Sequence, residues 1–308
     1  MSKITISVYE LLKKFPDEET ARVYLEKKRW GDTPTCPNCG EKRNQYKQRR
    51  KGKGGYFLCY HCSLVYTVRT DSVFERSHLA LDKWLLAIYL VVTARKGISS
   101  LQLSKELDVK QHTAWFLLQR IREACRTEDL GAFLEGDVEA DEGYFGGLEE
   151  NRHENKKKKL GSGVVGKIPV LGIRERGGKF HGKVVNDTTK ETIQGELEKT
   201  VKDGSNLYTD EHRAYTDNKY NHKIVKHSAK QYVDGMAHTN SVESVWALLK
   251  RAFYGTHHFF SEKHLQRYVD ECAFRLNEGN VKYHTWDRIN SLLGKAFGKH
   301  ITYAQLVA

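Results

Sequence analysis

The sequence predicts an α/β core that follows a small zinc-binding β-module and a helical segment, and three observations predict it. From residue 131 onward, short apolar strands give way to a helix, further strands and closing helices; two C-x2-C pairs stand near the N-terminus; residues 81–125 repeat their apolar positions at helical spacing. Residues 1–70 are thus expected to form an N-terminal module, 71–130 a helical segment, and 131–308 the α/β domain with its C-terminal helices.

Residues 7–30 hold two short helices. SVYE offers Ser7 and Glu10 as a capping box, and DEETARVYLEKKRWG runs from acidic to basic before Gly31, as the helix dipole favours. Cys36 and Cys39 in CPNCG, with Cys59 and Cys62 in CYHC, have the spacing of a zinc ribbon, in which two knuckles close one tetrahedral thiolate site around a single structural Zn²⁺. Gly40 gives the first knuckle a permissive backbone, and YFLCYHCSLVYTV has the aromatic and β-branched content of ribbon strands. His61 lies inside the second pair, but four thiolates complete the shell without it. Two disulfides are the alternative, disfavoured because MSKITISVYELLKK lacks the apolar core of a secretory signal. Cys125 and Cys272 stand alone in helical stretches and read as buried small hydrophobes.

Between the cysteine pairs, Lys42, Arg43, Lys47, Arg49, Arg50, Lys51 and Lys53 crowd one loop around Tyr46. A solvated charged face and a phosphate contact both fit this run. The balance of the chain favours the second: 51 Lys plus Arg against 39 Asp plus Glu give a formal net charge of +12, which suits a polyanionic partner. Residues 81–125 contain LDKWLLAIYLVV, SSLQLSKELDV and KQHTAWFLLQRIREAC. The short link at Asp108 and Val109 suggests a helix-turn-helix, with Gln111, His112, Thr113 and Trp115 opening the helix that would enter a DNA groove. An ordinary three-helix connector, with Leu101, Leu107, Phe116, Leu117 and Ile121 as its core, stays open as the alternative.

Beyond Gly131, GDVEADEGYFGG reads as a strand, KIPVLGIRERGGKFHGKVV as a hairpin turning at Gly177 and Gly178, TKETIQGELEKTV as a helix, and SNLYTD and HKIVKHS as further strands. Helices follow around Ser241–Phe253 and Ser261–Leu276. This is the element order of an RNase H-like domain. GGLEENRHENKKKKLGSGVVGK, basic at Lys156–Lys159, reads as a mobile loop that DNA would order.

Three acids stand out within this domain. Asp137, Glu139 and Asp141 share a strand face by their two-residue period while Glu142 points to the other, and Asp141 sits at the strand end before GYFGG. Asp210 ends its own strand after the apolar LY, beside a helix expected from Glu211, and adjacent parallel strands would bring the two ends together. Glu243 lies one turn into a helix from Asn240 whose Val242, Val245, Leu249 and Phe253 form the apolar stripe, while Glu243, Ala247 and Lys250 share the neighbouring face. Carboxylates gathered in this way suit two divalent cations placed to act on the attacking and leaving oxygens of a phosphodiester. Lys250 and Arg251 would face phosphates. His238 and Asn240 would orient water or DNA, with a backbone-bonded helix-entry histidine as the other reading of His238.

With these residues, HTNSVESVWALLKRAFYGTHHFFSEKHLQRYVDECAFRLN, ADEGYFGG, CPNCG and CYHC resemble the zinc-ribbon-bearing DDE transposases of bacterial insertion sequences, the ISXO2-like group related to Merlin-type elements. The resemblance runs from about Asp17 to Asn277. It implies an RNase H-like core, Mg²⁺ or Mn²⁺ at Asp141, Asp210 and Glu243, and cleavage and joining at the terminal inverted repeats of a mobile element. It further implies double-stranded DNA partners, both element ends and target. A homodimer or higher oligomer is expected from the reaction, since two ends must be held. Arg275 and Asn277 fit the Arg-x-Asn that the family carries, as scaffold or DNA contacts. The longest apolar run, Leu85–Val92, is too short to span a bilayer, so the expectation is a cytoplasmic, nucleoid-associated protein without a membrane partner. A DNA-binding regulator without catalysis, and a nuclease or resolvase that cuts without joining, are the alternatives.

Overall fold

The computed structural model describes residues 4–42, 45–50, 53–126, 133–147, 155, 164, 166–216, 219–225 and 238–308. The chain divides into two compact units: Met1–Arg126 with Glu278–Ala308, and Thr127–Asn277. Elements are numbered along the whole chain.

In the first unit, helix α1 (Val8–Lys14) starts with the expected capping box of Ser7 and Glu10, and α2 (Glu18–Trp30) is capped by Asp17, whose carboxylate accepts from the Thr20 N–H. Strands β1 (Gln45–Arg50), β2 (Lys53–Cys59) and β3 (Val65–Tyr66) form an antiparallel sheet. Trp30, at the end of α2, packs edge-on against Phe57 and Tyr66 at centroid distances of 5.3 and 5.6 Å, so α2 braces the ribbon. Helices α3 (Leu81–Thr93), α4 (Ser100–Leu107) and α5 (Gln111–Cys125) follow. Asp108 closes α4 in the left-handed region at φ 50°, and Lys110 opens α5, so α4 and α5 form a helix-turn-helix. Leu107, Leu117 and Ile121 are buried, but Leu101, assigned to the core in the connector reading, is 58% exposed.

The C-terminal helices α9 (Thr285–Gly294) and α10 (Tyr303–Val307) belong to this same unit. That corrects the expected domain 131–308. The apolar side of α9, with Ile289, Leu292 and Leu293 buried, packs on α3, and the buried Arg288 donates from Nη1 to the Val92 carbonyl at 2.8 Å. The structure also draws no boundary at residue 70.

The second unit is an RNase H-like core. Strands β4 (Asp137–Phe145), β5 (Ile168–Glu175) and β6 (Phe180–Val184) form an antiparallel meander. Helix α6 (Lys190–Thr200) crosses back to β7 (Asn206–Thr209), parallel to β4, and β8 (Asn221–Ile224) lies parallel to β7, giving the order β6-β5-β4-β7-β8. Helices α7 (Asn240–Ala252) and α8 (Leu265–Leu276) complete it. Ile193 and Leu197 of α6 pack with Val138, Ala140, Leu171 and Ile173, whereas Val242, Val245 and Leu249 of α7 pack with Val170, Phe180 and Val269. The stripe expected on α7 is therefore core. Asn277 is scaffold: its side chain accepts from the Phe180 N–H at 2.8 Å and donates to the Phe180 carbonyl at 2.9 Å, while Arg275 pairs with Glu271 one turn earlier.

Candidate active site and metal centre

Strands β4 and β7 place the first two acids. They pair in parallel only from Asp137↔Asn206 to Glu139↔Tyr208, so Asp141 and Glu142 lie just beyond the paired stretch and Asp210 directly follows β7. Carboxylate oxygens of Asp141, Glu142 and Asp210 all lie within 4.8 Å of one another. Glu142 is a correction, because its strand face was expected to carry it away. With β7 ended, acids from both faces of β4 reach Asp210.

Each of these acids is held by a specific donor. The Trp246 indole Nε1–H donates to Asp141 Oδ2 at 2.8 Å, and the buried Tyr215 hydroxyl donates to Glu142 Oε1 at 2.5 Å. Trp246 lies so close to the sheet that a Cβ on Gly143 or Gly172 would stand 2.8 or 2.6 Å from its ring, which is why both positions are glycine. Asp210 Oδ1 accepts from the His212 N–H at 3.0 Å. Instead of the helix expected from Glu211, a short 3-10 turn (Arg213–Tyr215) follows and carries Tyr215 to Glu142. Burial raises Asp141 to about 6, with the charges of Asp210 and Glu243 adding to it, and burial raises Glu142 to about 7, with Asp210 and Asp141 adding.

Glu243 comes from the first turn of α7. It lines a cleft of about 450 Å³ together with the three clustered acids, Thr239, Trp246, Ala247 and Lys250, the last two on the α7 face predicted for it. The Thr239 hydroxyl donates to Glu243 Oε1 at 2.8 Å. His238 and Asn240 do not line this cleft. His238 turns to Glu139, with Nδ1 3.2 Å from Oε1, and Asn240 is exposed on the first turn of α7. Arg251 is exposed one residue past Lys250. Three or four carboxylates offer a charged, all-oxygen donor set that fits Mg²⁺ or Mn²⁺.

The four ribbon cysteines also converge, with Sγ atoms within 4.8 Å of one another. Cys36 Sγ is 3.6 Å from Cys62 Sγ, and Cys39 Sγ is 3.6 Å from Cys59 Sγ. Disulfides need about 2.05 Å, whereas thiolates about 2.3 Å from a shared tetrahedral Zn²⁺ stand roughly 3.8 Å apart. The donors fit zinc. Gly40 takes φ 73° and donates its N–H to the Cys36 carbonyl, closing the first knuckle as expected. Cys125 and Cys272 are buried at 1% and 4% exposure, each inside a helix.

The basic segment between the knuckles is not one loop. Lys47, Arg49 and Arg50 belong to β1 and Lys53 to β2, while Lys42 is exposed ahead of them. Arg43 and Lys51 lie outside the described residues, as do Lys156–Lys159. At the start of α5, Gln111 and His112 are exposed, Thr113 is half-buried, and Gln111 Nε2 donates to Ser100 Oγ at 2.7 Å.

Residues 133–277 match the ISXO2-like transposase domain and residues 16–65 the transposase zinc-ribbon domain. An uncharacterized protein in transposable element ISH50 of Halobacterium salinarum is 31% identical over 279 residues, covering 86% of this chain and 92% of the relative. The chain belongs to the ISXO2-like transposase family. The transposase is 13% identical to the chain in a pre-cleavage Mos1 transpososome, over 68% of this chain and 75% of that one, with a TM-score of 0.30. For the Mos1 strand transfer complex the figures are 13%, 68%, 74% and 0.28. At such scores the fold rests on strand order rather than on superposition. The transposase's matched domain ends at Asn277, where its second compact unit ends. Three residues at this site escaped sequence reasoning: Glu142, Tyr215 and Trp246. The glycines facing Trp246 were a usable signal only in part, since nothing local to them names the ring they admit.

Proposed function

We propose that this transposase cleaves the ends of its insertion sequence and joins them to target DNA at the cleft between β4, β7 and α7. The observation that carries this is the convergence of Asp141, Glu142 and Asp210 within 4.8 Å in an open cleft that Glu243 and Lys250 also line. Divalent cations bound there would supply Lewis-acid stabilisation of the attacking and leaving oxygens of the phosphodiester. Asp141 and Asp210 would hold the cations, with Glu142 beside them and Glu243 contributing from α7. Trp246 and Tyr215 fix the two carboxylates they donate to, so the site is ordered before DNA arrives. Lys250 and Arg251 neutralise phosphates at its edge, while the zinc ribbon, holding one structural Zn²⁺, and the opening of α5 bind the duplex elsewhere. Two copies acting on two ends would form the working assembly.

Purified full-length protein on an end-containing duplex with Mg²⁺, and a pre-cleaved end offered with a target plasmid, tests this. The wild type should both cut and join. Asp141→Asn, Asp210→Asn and Glu243→Gln should each abolish both activities while end binding stays within about threefold, because each removes metal charge and no phosphate contact. Cutting without joining would mark a nuclease or resolvase, and binding without cutting a regulator.

A further inference from the structure

Helix α7 is not capped by its own N-cap residue. Thr239 makes no side-chain capping bond, and its hydroxyl is committed to Glu243 instead. The capping role falls to Glu139, whose Oε2 accepts from the N–H groups of Ser241 and Val242 at 2.8 and 3.0 Å. An anion at those two amides is favoured by both the unpaired donors and the helix dipole. Glu139 is fully buried, and its other oxygen accepts from Arg176 Nε at 2.8 Å. Arg176 donates from Nη2 to the His238 carbonyl at 2.7 Å and lies over the Tyr208 ring, 3.9 Å from its centroid. One buried ion pair therefore ties together β4, the turn after β5, β7 and the entry to α7. It does so two residues from Asp141, two from Asp210 and two from the helix position of Glu243.

The geometry points to Glu139 as a positioning residue of the transposase: it fixes where α7 starts against β4, and through that places Glu243 over the carboxylate cluster. This rests on the reading of the cleft as a metal site to which Glu243 contributes. A purely structural ion pair would stabilise the unit without bearing on Glu243. A positioning pair spends its effect through that one side chain, and the two roles separate in a double-mutant cycle.

The cycle uses full-length wild type, Glu139→Gln, Glu243→Gln and the double variant. Each is titrated with Mn²⁺ and followed by electron paramagnetic resonance, alongside hydrogen exchange of the α7 amides. Glu139→Gln should weaken Mn²⁺ binding about tenfold, as loss of an orienting partner does. The double variant should bind no more weakly than Glu243→Gln alone, and the Ser241 and Val242 amides should exchange faster while β5 stays protected. Losses that multiply, or a Glu139→Gln protein that binds Mn²⁺ like the wild type while Glu243→Gln does not, would overturn the positioning role. Unchanged Mn²⁺ binding in Glu243→Gln would instead overturn the assignment of Glu243 and take the positioning role with it. Should Glu139→Gln fold poorly, Glu139→Leu with Arg176→Met removes both charges at similar volume, and the same cycle applies.

Discussion

Two of the clustered acids are costly to ionise without a cation. Burial first, and neighbouring charge second, hold Asp141 at about 6 and Glu142 at about 7, above the ordinary carboxylate range. Groups raised on folding stabilise the protein below their unfolded values, and that contribution is lost as the pH rises through the folded ones. The metal-free protein should therefore lose stability between about pH 4 and pH 7 from this site, and a bound divalent ion should restore it. Melting curves with and without Mg²⁺ check this: the metal-induced rise in Tm should be larger at about pH 8 than at about pH 5, and Glu142→Gln should flatten the difference. Tyr215→Phe removes the hydroxyl that holds Glu142 and should weaken Mn²⁺ binding about tenfold in titrations of the folded protein. Asp210 and Glu243 were legible in the sequence from the end of an apolar run and the first turn of a helix; Asp141 stood out as a strand acid, but it lies mid-strand in β4, which runs on to Phe145, and not at the strand end expected for it. Glu142 was not legible, because its two-residue period does put it on the other face of β4, and it comes near Asp210 only because β7 stops at Thr209 and leaves Asp210 past the sheet edge, which no local pattern reports.

Helix α7 shows how far a pattern reaches. Its apolar stripe and the cleft-facing line of Glu243, Ala247 and Lys250 followed from helical spacing alone. Its anchor did not, since the cap comes from Glu139, a hundred residues earlier in the chain. Trp246 sets a second requirement on the sheet. Gly172→Ala would bring a Cβ to 2.6 Å from the indole, and should destabilise the α/β unit by about 1–3 kcal/mol in denaturant titrations. The ribbon was readable outright, because C-x2-C spacing fixes both ligands and geometry. One Zn²⁺ per chain is expected by elemental analysis, with Cys59→Ser losing the metal and the ribbon's fold together.

Across the whole chain, sequence order misled in one respect. Residues 278–308 follow the α/β core in sequence but pack with residues 1–126, because the apolar side of α9 is matched by α3. Helical periodicity reports that a face is apolar, not which partner covers it. Deleting 278–308 should therefore lower the melting temperature of the ribbon-bearing unit and leave the α/β unit's hydrogen-exchange protection largely intact. Neutralising Arg49, Arg50 and Lys51 together should weaken binding to end and random duplex alike and reduce the slope of log affinity against log salt by up to about 3, at roughly 0.9 per lost phosphate contact. An unchanged slope would make that segment a solvated face.

The most direct measurement is anomalous diffraction at the manganese edge from crystals of the full-length protein with Mn²⁺ and a cleaved element end. Peaks between Asp141, Glu142 and Asp210, about 3.5–4 Å apart if two ions bind, and their loss in Asp210→Asn, are the expected result. Manganese bound elsewhere, or a cleft still empty while the crystals hold a processed end, would contradict the assignment of these carboxylates as the catalytic metal site.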